Sequence, residues 1–301
     1  MSPALVVVGS INADLMLHVE RHPHPGETLL GSGGEILAGG KGANQAVAAA
    51  QLGADVAFVG AVGSDAYAAP ALEYLTSSGV DMAAVAELDN ITTGLAVITV
   101  SADGENTIVL NAGANGQVDG EFVAERAETV AGAKIVLLQG EIPASGFAAA
   151  VQAATGRVIV NLAPVIEVPR EALLAADPLM ANEHEAGLIL SQLGLDDSGT
   201  PREMAQRLLE AGFASVVLTL GSAGALVADG DGFTEIPTPR ITPVDTTGAG
   251  DAFAGAFCAR LLEGDSLADA ARFAARVGAY AATGAGAQPS YPHLNDELPE
   301  V

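Results

Sequence analysis

The strongest chemical signal in the chain is Asp245-Thr246-Thr247-Gly248-Ala249-Gly250-Asp251, which leads into the apolar segment Ala252–Leu262. That segment reads as a helix. Free N–H groups at a helix start, together with the helix dipole, cradle an anion without any positive side chain. Gly248, Ala249 and Gly250 are the candidate anion hole. Asp251 falls in the first helical turn, where Asp is a common cap. A carboxylate beside an anion hole can also act as a base, and the two roles are compatible. The second signal is Gly39-Gly40-Lys41-Gly42-Ala43-Asn44, which runs into Gln45–Leu52, another expected helix. Glycines let backbone approach a ligand closely. Lys41, one of two lysines, and Asn44 add a cation and an amide. The motif is not a Walker A loop, because Glu35 and Gly42 stand where that loop needs Gly and Ser or Thr.

Three weaker motifs sit at strand ends. Gly9-Ser10-Ile11-Asn12-Ala13-Asp14 offers an amide and a carboxylate suited to sugar hydroxyls. Asn182-Glu183-His184-Glu185 could hold Mg²⁺ through water, since that ion keeps most of its waters. Any exposed helix start also reads Asn-x-x-Glu. Leu218-Thr219-Leu220-Gly221-Ser222-Ala223-Gly224 opens a strand end into glycines, where open α/β sheets bind ligands. His22-Pro23-His24-Pro25 is set aside as a Pro-rich loop without a third ligand, and no Gly-x-Ser-x-Gly elbow or clean dinucleotide fingerprint occurs. Two glycine-rich helix starts, one preceded by an Asn/Asp pair and one carrying a carboxylate, fit a hydroxyl held against a nucleotide phosphate. The chemistry expected is phosphoryl transfer, driven by positioning and electrostatics.

Asp245 adds a cation to this picture. It has no evident basic partner, and an unpaired, partly buried carboxylate is costly. The tail Ala281–Ser290 supplies small residues and glycines whose carbonyls suit a large monovalent ion. The alternative is that Asp245 only caps its local turn.

These motifs need a scaffold that presents strand ends and helix starts together. Leu5–Val8, Val56–Val59, Ile135–Leu138, Val158–Val160 and Val216–Leu220 read as fully buried strands. Ala68–Ser77, Glu121–Val130, Phe147–Ala154 and Arg202–Glu210 read as helices between them. The alternation predicts an α/β fold, a mostly parallel sheet with helices on both faces. Asp14–Leu37 and Thr93–Asn111 break the pattern, the second with the hairpin signal Asp103-Gly104. Both are expected to form a small β-sheet that closes as a lid. The expected organisation is one α/β domain over residues 1–301 with these lid strands inserted.

The 301 residues carry 12 Lys and Arg against 37 Asp and Glu, a formal charge of −25. So acidic a chain repels nucleic acid and anionic membrane, so neither is expected as a partner. Half of the residues are hydrophobic and 16% are charged, which excludes disorder. The start Met1-Ser2-Pro3-Ala4 lacks a positive region, and no apolar run approaches bilayer length. A cytoplasmic location is the expectation. The single Cys258 sits in an apolar run and is read as a buried, inert thiol.

Gly39–Ala46 and Asp245–Phe253 resemble the two signatures of the ribokinase-like (PfkB) carbohydrate kinases. The likeness runs from Gly9–Asp14 through Ala112-Gly113-Ala114-Asn115 to Gly286–Ser290. It implies a Rossmann-like fold with a β lid and ATP-dependent phosphorylation of D-ribose at the 5-hydroxyl. By the same resemblance Asn12, Asp14, Gly40, Lys41, Gly42, Asn44 and Glu141 hold the sugar, and Asp251 takes the hydroxyl proton. Asn182, Thr219, Gly221, Ser222, Gly224, Gly250 and Ala275 line the ATP site. Glu185 orders water around Mg²⁺, and K⁺ sits on Asp245, Thr247, Ala281, Gly284, Gly286 and Ser290. Lid strands pair two subunits into a homodimer. Two departures soften the nucleotide contacts: Gly284 where a larger residue is usual, and Ala275 where His or Asn often covers the adenine. The alternatives are the same chemistry on deoxyribose, a nucleoside or another sugar, and a non-enzymatic sensor on the same fold.

Overall fold

The computed structural model describes residues 3–301. Met1 and Ser2, which open the segment read for a targeting signal, lie outside the described residues. Thirteen strands are present among the described residues: β1 Leu5–Val8, β2 Asn12–His18, β3 Ser32–Gly39, β4 Val56–Gly63, β5 Asp81–Leu88, β6 Gly94–Val100, β7 Asn106–Asn111, β8 Ile135–Gln139, β9 Arg157–Asn161, β10 Leu179–Asn182, β11 Val216–Thr219, β12 Ala225–Asp229 and β13 Gly232–Ile236. The helices are α1 Lys41–Gln51, α2 Ala68–Ser77, α3 Gly120–Ala124, α4 Ala127–Ala131, α5 Ala144–Ala153, α6 Arg170–Leu174, α7 Glu183–Gln192, α8 Pro201–Ala211, α9 Ala249–Leu262 and α10 Leu267–Ala281. No helix among the described residues is long and apolar enough to cross a membrane.

Nine strands form one sheet in the order β13-β12-β11-β10-β9-β8-β1-β4-β5. It is parallel from β5 to β11 and antiparallel only at β12 and β13. Both faces are covered, which is why its strands are near-continuous Val, Leu and Ile. Alternate residues serve opposite cores, as the pleat requires. Leu5 and Val7 pack with α1, α2, α9 and α10, whereas Val6 and Val8 pack with the helices of the other face. The expected strands and the layered class are present. The two edges of the sheet, β5 at one end and β12 and β13 at the other, and the helix α10 carry no signal in the sequence that singles them out. The expected helix Glu121–Val130 is two short ones, α3 and α4. Arg126 sits between them with non-helical φ and ψ of −111° and 15°, its guanidinium over the Phe122 ring and donating to the Ala84 carbonyl.

Both glycine motifs are themselves the first turns of their helices. α1 begins at Lys41, not Gln45, and α9 begins at Ala249, not Ala252. Gly40 and Gly248 stop them backward with φ of 90° and 74°, values open to glycine at little cost. α9 is apolar nearly all round and lies between α1 and α10. Gly255 allows that approach, since a Cβ there would stand 2.4 Å from the Gln45 carbonyl oxygen. The two helix starts are thereby set side by side.

The second sheet has four strands in the order β3-β2-β6-β7. It is built from the two segments expected to break the α/β pattern. β6 and β7 are an antiparallel hairpin around Ser101–Glu105, with Gly104 at φ 88°. β2 leaves the main sheet directly after β1 and pairs parallel with β6, Asn12 beside Gly94 and Asp14 beside Ala96. Asn12 and Asp14 thus stand at the junction of the two sheets.

Candidate active site

The start of α9 is open toward a cavity. The N-terminal Gly248 has no side-chain cap, and no described residue accepts from the Gly250 N–H or blocks its face, where a Cβ would meet nothing within 4 Å. Ala249 N–H donates to the Thr246 carbonyl at 3.2 Å, while Ala252 N–H closes the first helical bond to Gly248 at 2.8 Å. At this helix start the N–H groups left without an acceptor among the described residues are those of Gly248, Gly250 and Asp251. Tyr291 holds the turn from behind, its hydroxyl donating to the Gly248 carbonyl at 3.1 Å.

Asp251 is 6% exposed and lines a cavity of about 220 Å³ with Lys41, Asn182, Glu185, Thr219, Gly248 and Gly250. Asn44 Nδ2 donates to its Oδ2 and Gln45 Nε2 to its Oδ1, both at 2.9 Å. α1 therefore supplies both donors to the carboxylate on α9. The Asp251 carboxylate, ahead of Glu141 and Glu185, raises Lys41 above the ordinary lysine value in spite of burial. Lys41 stays a cation at neutral pH, facing three acids.

The glycine-rich loop packs on the end of β1 at distances only glycine permits. A Cβ on Gly42 would stand 2.6 Å from the Ser10 amide nitrogen, and one on Gly40 2.8 Å from that of Asn12. Glu141 ties the two loops: its Oε2 accepts from the Lys41 N–H at 3.0 Å and from the Ser10 hydroxyl. Asn12 is buried, and its Oδ1 accepts from Asn115 Nδ2 at 2.7 Å. Asp14 Oδ1 is buried without any partner. Burial first, then the charges of Glu141 and Asp251, push Asp14 up from 3.8 to about 7. A buried carboxyl with an empty acceptor position is chemically suited to a ligand hydroxyl.

A larger cavity of about 660 Å³ adjoins the first and shares Asn182, Thr219, Thr246 and Gly250 with it. All seven residues expected at a nucleotide line it: Asn182, Thr219, Gly221, Ser222, Gly224, Gly250 and Ala275. Its walls are mostly apolar, and its size suits a nucleotide. Thr238, Arg240, Ile241 and Phe253 also line it and were missed. They lie in irregular chain or on the face of α9, with no motif to mark them.

Asn182 and Glu185 form a capping box on α7: Asn182 Oδ1 accepts from Glu185 N–H at 2.8 Å, and Glu185 Oε2 accepts from Asn182 N–H at 2.9 Å. The box leaves the other Glu185 oxygen free at the cavity wall. Asp245 is not unpaired, as its sequence context suggested. Its two oxygens accept from the N–H groups of Thr247 and Gly286, each at 2.9 Å. Burial works against its charge, but these hydrogen bonds outweigh it and hold the carboxyl below its ordinary value. Asp245 joins the turn before α9 to the tail. A Cβ on Gly284 would stand 2.7 Å from that of Ser290, and Gly284 N–H donates to the Ala281 carbonyl at 3.1 Å.

Sequence comparison matches residues 2–294 to the pfkB family carbohydrate kinase pattern. The chain is 38% identical to ribokinase of Schizosaccharomyces pombe, over 96% of this chain and 95% of that one. It is similar to the solved structure of Arabidopsis thaliana ribokinase complexed with ribose and ATP, with a TM-score of 0.89 at 35% identity, covering 98% of this chain and 97% of that one. It is also 32% identical to deoxyribokinase of Salmonella typhi, over 96% of each chain.

Proposed function

The chain belongs to the pfkB family of carbohydrate kinases, and from that premise we propose that it transfers the γ-phosphoryl group of ATP to the 5-hydroxyl of D-ribose. The observation that carries this reading is the buried Asp251 carboxylate, set beside free helix N–H groups where a polar pocket meets a nucleotide-sized cavity. Asn12, Asp14, Gly40, Lys41, Gly42, Asn44 and Glu141 surround the ribose. Asp251 accepts the proton of the attacking hydroxyl. The N–H groups of Gly248, Gly250 and Asp251 receive the charge that builds on the transferred phosphoryl oxygens, with Ala249 shaping the turn. Lys41 neutralises charge from the sugar side of the same cavity. The small sheet, whose strands β2 and β6 begin at the sugar pocket, closes over the ribose and keeps water from competing.

Mg²⁺ would accompany ATP, and the free oxygen of Glu185 at the cavity wall fits a water of its shell. An ion held there would offset phosphate charge. K⁺ fits the loop pair of Asp245, Thr247, Ala281, Gly284, Gly286 and Ser290. Asp245 already draws both segments together, and each of its oxygens keeps a lone pair. A cation held there would stiffen the turn that carries Gly248 and Gly250. Activity should rise with K⁺ far more than with Na⁺ at equal ionic strength; equal rates in the two salts rule the site out. A homodimer is also part of the proposal. Ile36, Ile108, Val109 and Leu110 stand exposed on the edge strands β3 and β7, an apolar surface suited to a second copy. A purified chain that sediments as a monomer at all concentrations rules it out.

A coupled assay of ADP release over pentoses, deoxyribose, hexoses and nucleosides tests the reading. The highest kcat/KM is expected with ribose. The deoxyribokinase relative makes deoxyribose the second reading, and a higher kcat/KM on that sugar would select it. No ADP with any acceptor would leave only a sensor.

Asp14 adds a pH dependence. Its carboxyl, raised to about 7, carries a proton in the free protein below that value. Ribose hydroxyls donate best to the ionised form, so binding the sugar expels the proton. Affinity is therefore expected to rise with pH up to about 7, by at most about tenfold per pH unit, and to level off above. Calorimetry in two buffers of different ionisation enthalpy, at about pH 6, reads the proton directly. Identical heats in both buffers would refute proton release, and Asp14→Asn should abolish it.

A further inference from the structure

Behind Asp251 lies a set of buried amides that neither the sugar nor the nucleotide accounts for. Gln139, at the end of β8, donates from Nε2 to Gln45 Oε1 at 2.8 Å. Gln288, in the tail, donates from Nε2 to Asn44 Oδ1 at 2.8 Å. Gln45 and Asn44 are the two residues that donate to the Asp251 carboxylate. Gln45 Nε2 spends its other hydrogen on Asn161 Oδ1 at 2.9 Å, and Asn161 Nδ2 donates to the Met180 carbonyl at 3.2 Å.

We propose that Gln139 and Gln288 are positioning residues that force Gln45 and Asn44 to turn their N–H groups toward Asp251. The proposal rests on the reading of Asp251 as the base. An amide is nearly isosteric with its own reversed form, so shape alone does not decide which end faces a carboxylate. Reversal would set an oxygen against Asp251 and turn the carboxylate away from the cavity. A donor placed behind each amide oxygen forbids it, because reversal would then bring two N–H groups together.

Gln139 and Gln288 are both fully buried. Their own Oε1 atoms have no partner, and they are two of only four such buried side-chain atoms among the described residues. A position needed only to fill space is better served by an apolar side chain, since an orphaned acceptor is costly. What these two glutamines supply is the N–H. The two relays hold both carboxylate oxygens and leave the remaining lone pairs for a hydroxyl in the cavity.

The test is Gln139→Met and Gln288→Met, two near-isosteric changes on separate elements, measured with ribose and MgATP. Each should lower kcat by about tenfold or more while the ATP KM stays within about twofold, as for lost outer partners of a reactive group. The acid limb of the kcat profile should move to higher pH, because the carboxylate loses an oriented donor. In an Asp251→Asn background neither change should cost anything further. Unchanged kcat, a rise in KM alone, or the same proportional loss in the Asp251→Asn background would overturn the proposal. If a Met variant does not fold, Gln139→Glu and Gln288→Glu replace it. Glu donates only when protonated, so the ratio of variant to parent kcat should rise as pH falls, and a flat ratio counts against the relay. An Asp251→Asn protein with full turnover overturns the base reading itself. Normal kcat in the Gln variants beside an inactive Asp251→Asn overturns this proposal alone.

Discussion

Asp251→Asn is expected to lower kcat by about 10²–10⁴-fold, the usual contribution of a general base, while ribose and ATP still bind. Asn has nearly the same shape and keeps an oxygen that can accept from one of the two amides, Gln45 or Asn44. The other amide then meets an NH₂ group and is left unsatisfied, a loss of about 1–3 kcal/mol in stability. What disappears is the ability to take the proton of the attacking hydroxyl. Free Gly248 and Gly250 N–H groups remain, so residual turnover above the uncatalysed rate is expected. Steady-state kinetics with calorimetry on both ligands separates the effects. A variant with near-parental kcat would show that Asp251 is only a helix-start residue.

Lys41→Met carries the next largest effect. Met keeps the length and most of the apolar stem, so packing changes little. It removes the cation that faces Asp251, Glu141 and Glu185 across the cavity. A polyanionic nucleotide must approach that cluster in a chain of net charge −25, with no other lysine nearby in sequence. Loss of one charge-assisted hydrogen bond costs about 1.5–3 kcal/mol, or about 10–150-fold in kcat/KM. The deficit should grow at low salt, where the remaining carboxylates are least screened. A change under about threefold, with no dependence on salt, would place Lys41 outside the transfer step. Lys41→Arg tests the same point: the charge is kept, but a broad guanidinium must fit a cavity of about 220 Å³.

Residues that act through their immediate neighbours were readable in the chain. Gly40 and Gly248 are needed for a backbone turn that only glycine makes cheaply, and each is followed by a helix whose first turn is the motif. The buried strands announced themselves because a sheet covered on both faces leaves no polar position in β1 or β4 and only the terminal Gln139 in β8. The two segments of the small sheet were legible as breaks in the α/β pattern, the first by its lack of a helical period and the second by β-rich runs around Asp103-Gly104. Helix starts lie three or four residues before the apolar runs because Gly, Asn and Asp in the motifs carry weak helical preference of their own. Packing of α9 against α1 decides them. Asp251 and its donor Asn44 belong to the legible part as residues, whereas Gln45 shows in the chain only as a helix start. Their meeting is not legible, since the Gln45–Asp251 bond spans 206 positions. It exists because α1, which follows β3 of the small sheet, and α9, which follows the irregular chain after β13, pack side by side, so that two remote helix starts reach one place. The same holds for Gln139, Asn161 and Gln288. A lone amide in an apolar run has no spacing signal, and its function is a direction of donation that arises only when a second amide is packed against it. Asp245 makes the point in reverse. Its sequence suggested a carboxylate without a partner, and the fold brought it two backbone N–H groups, one of them from a tail 41 positions away.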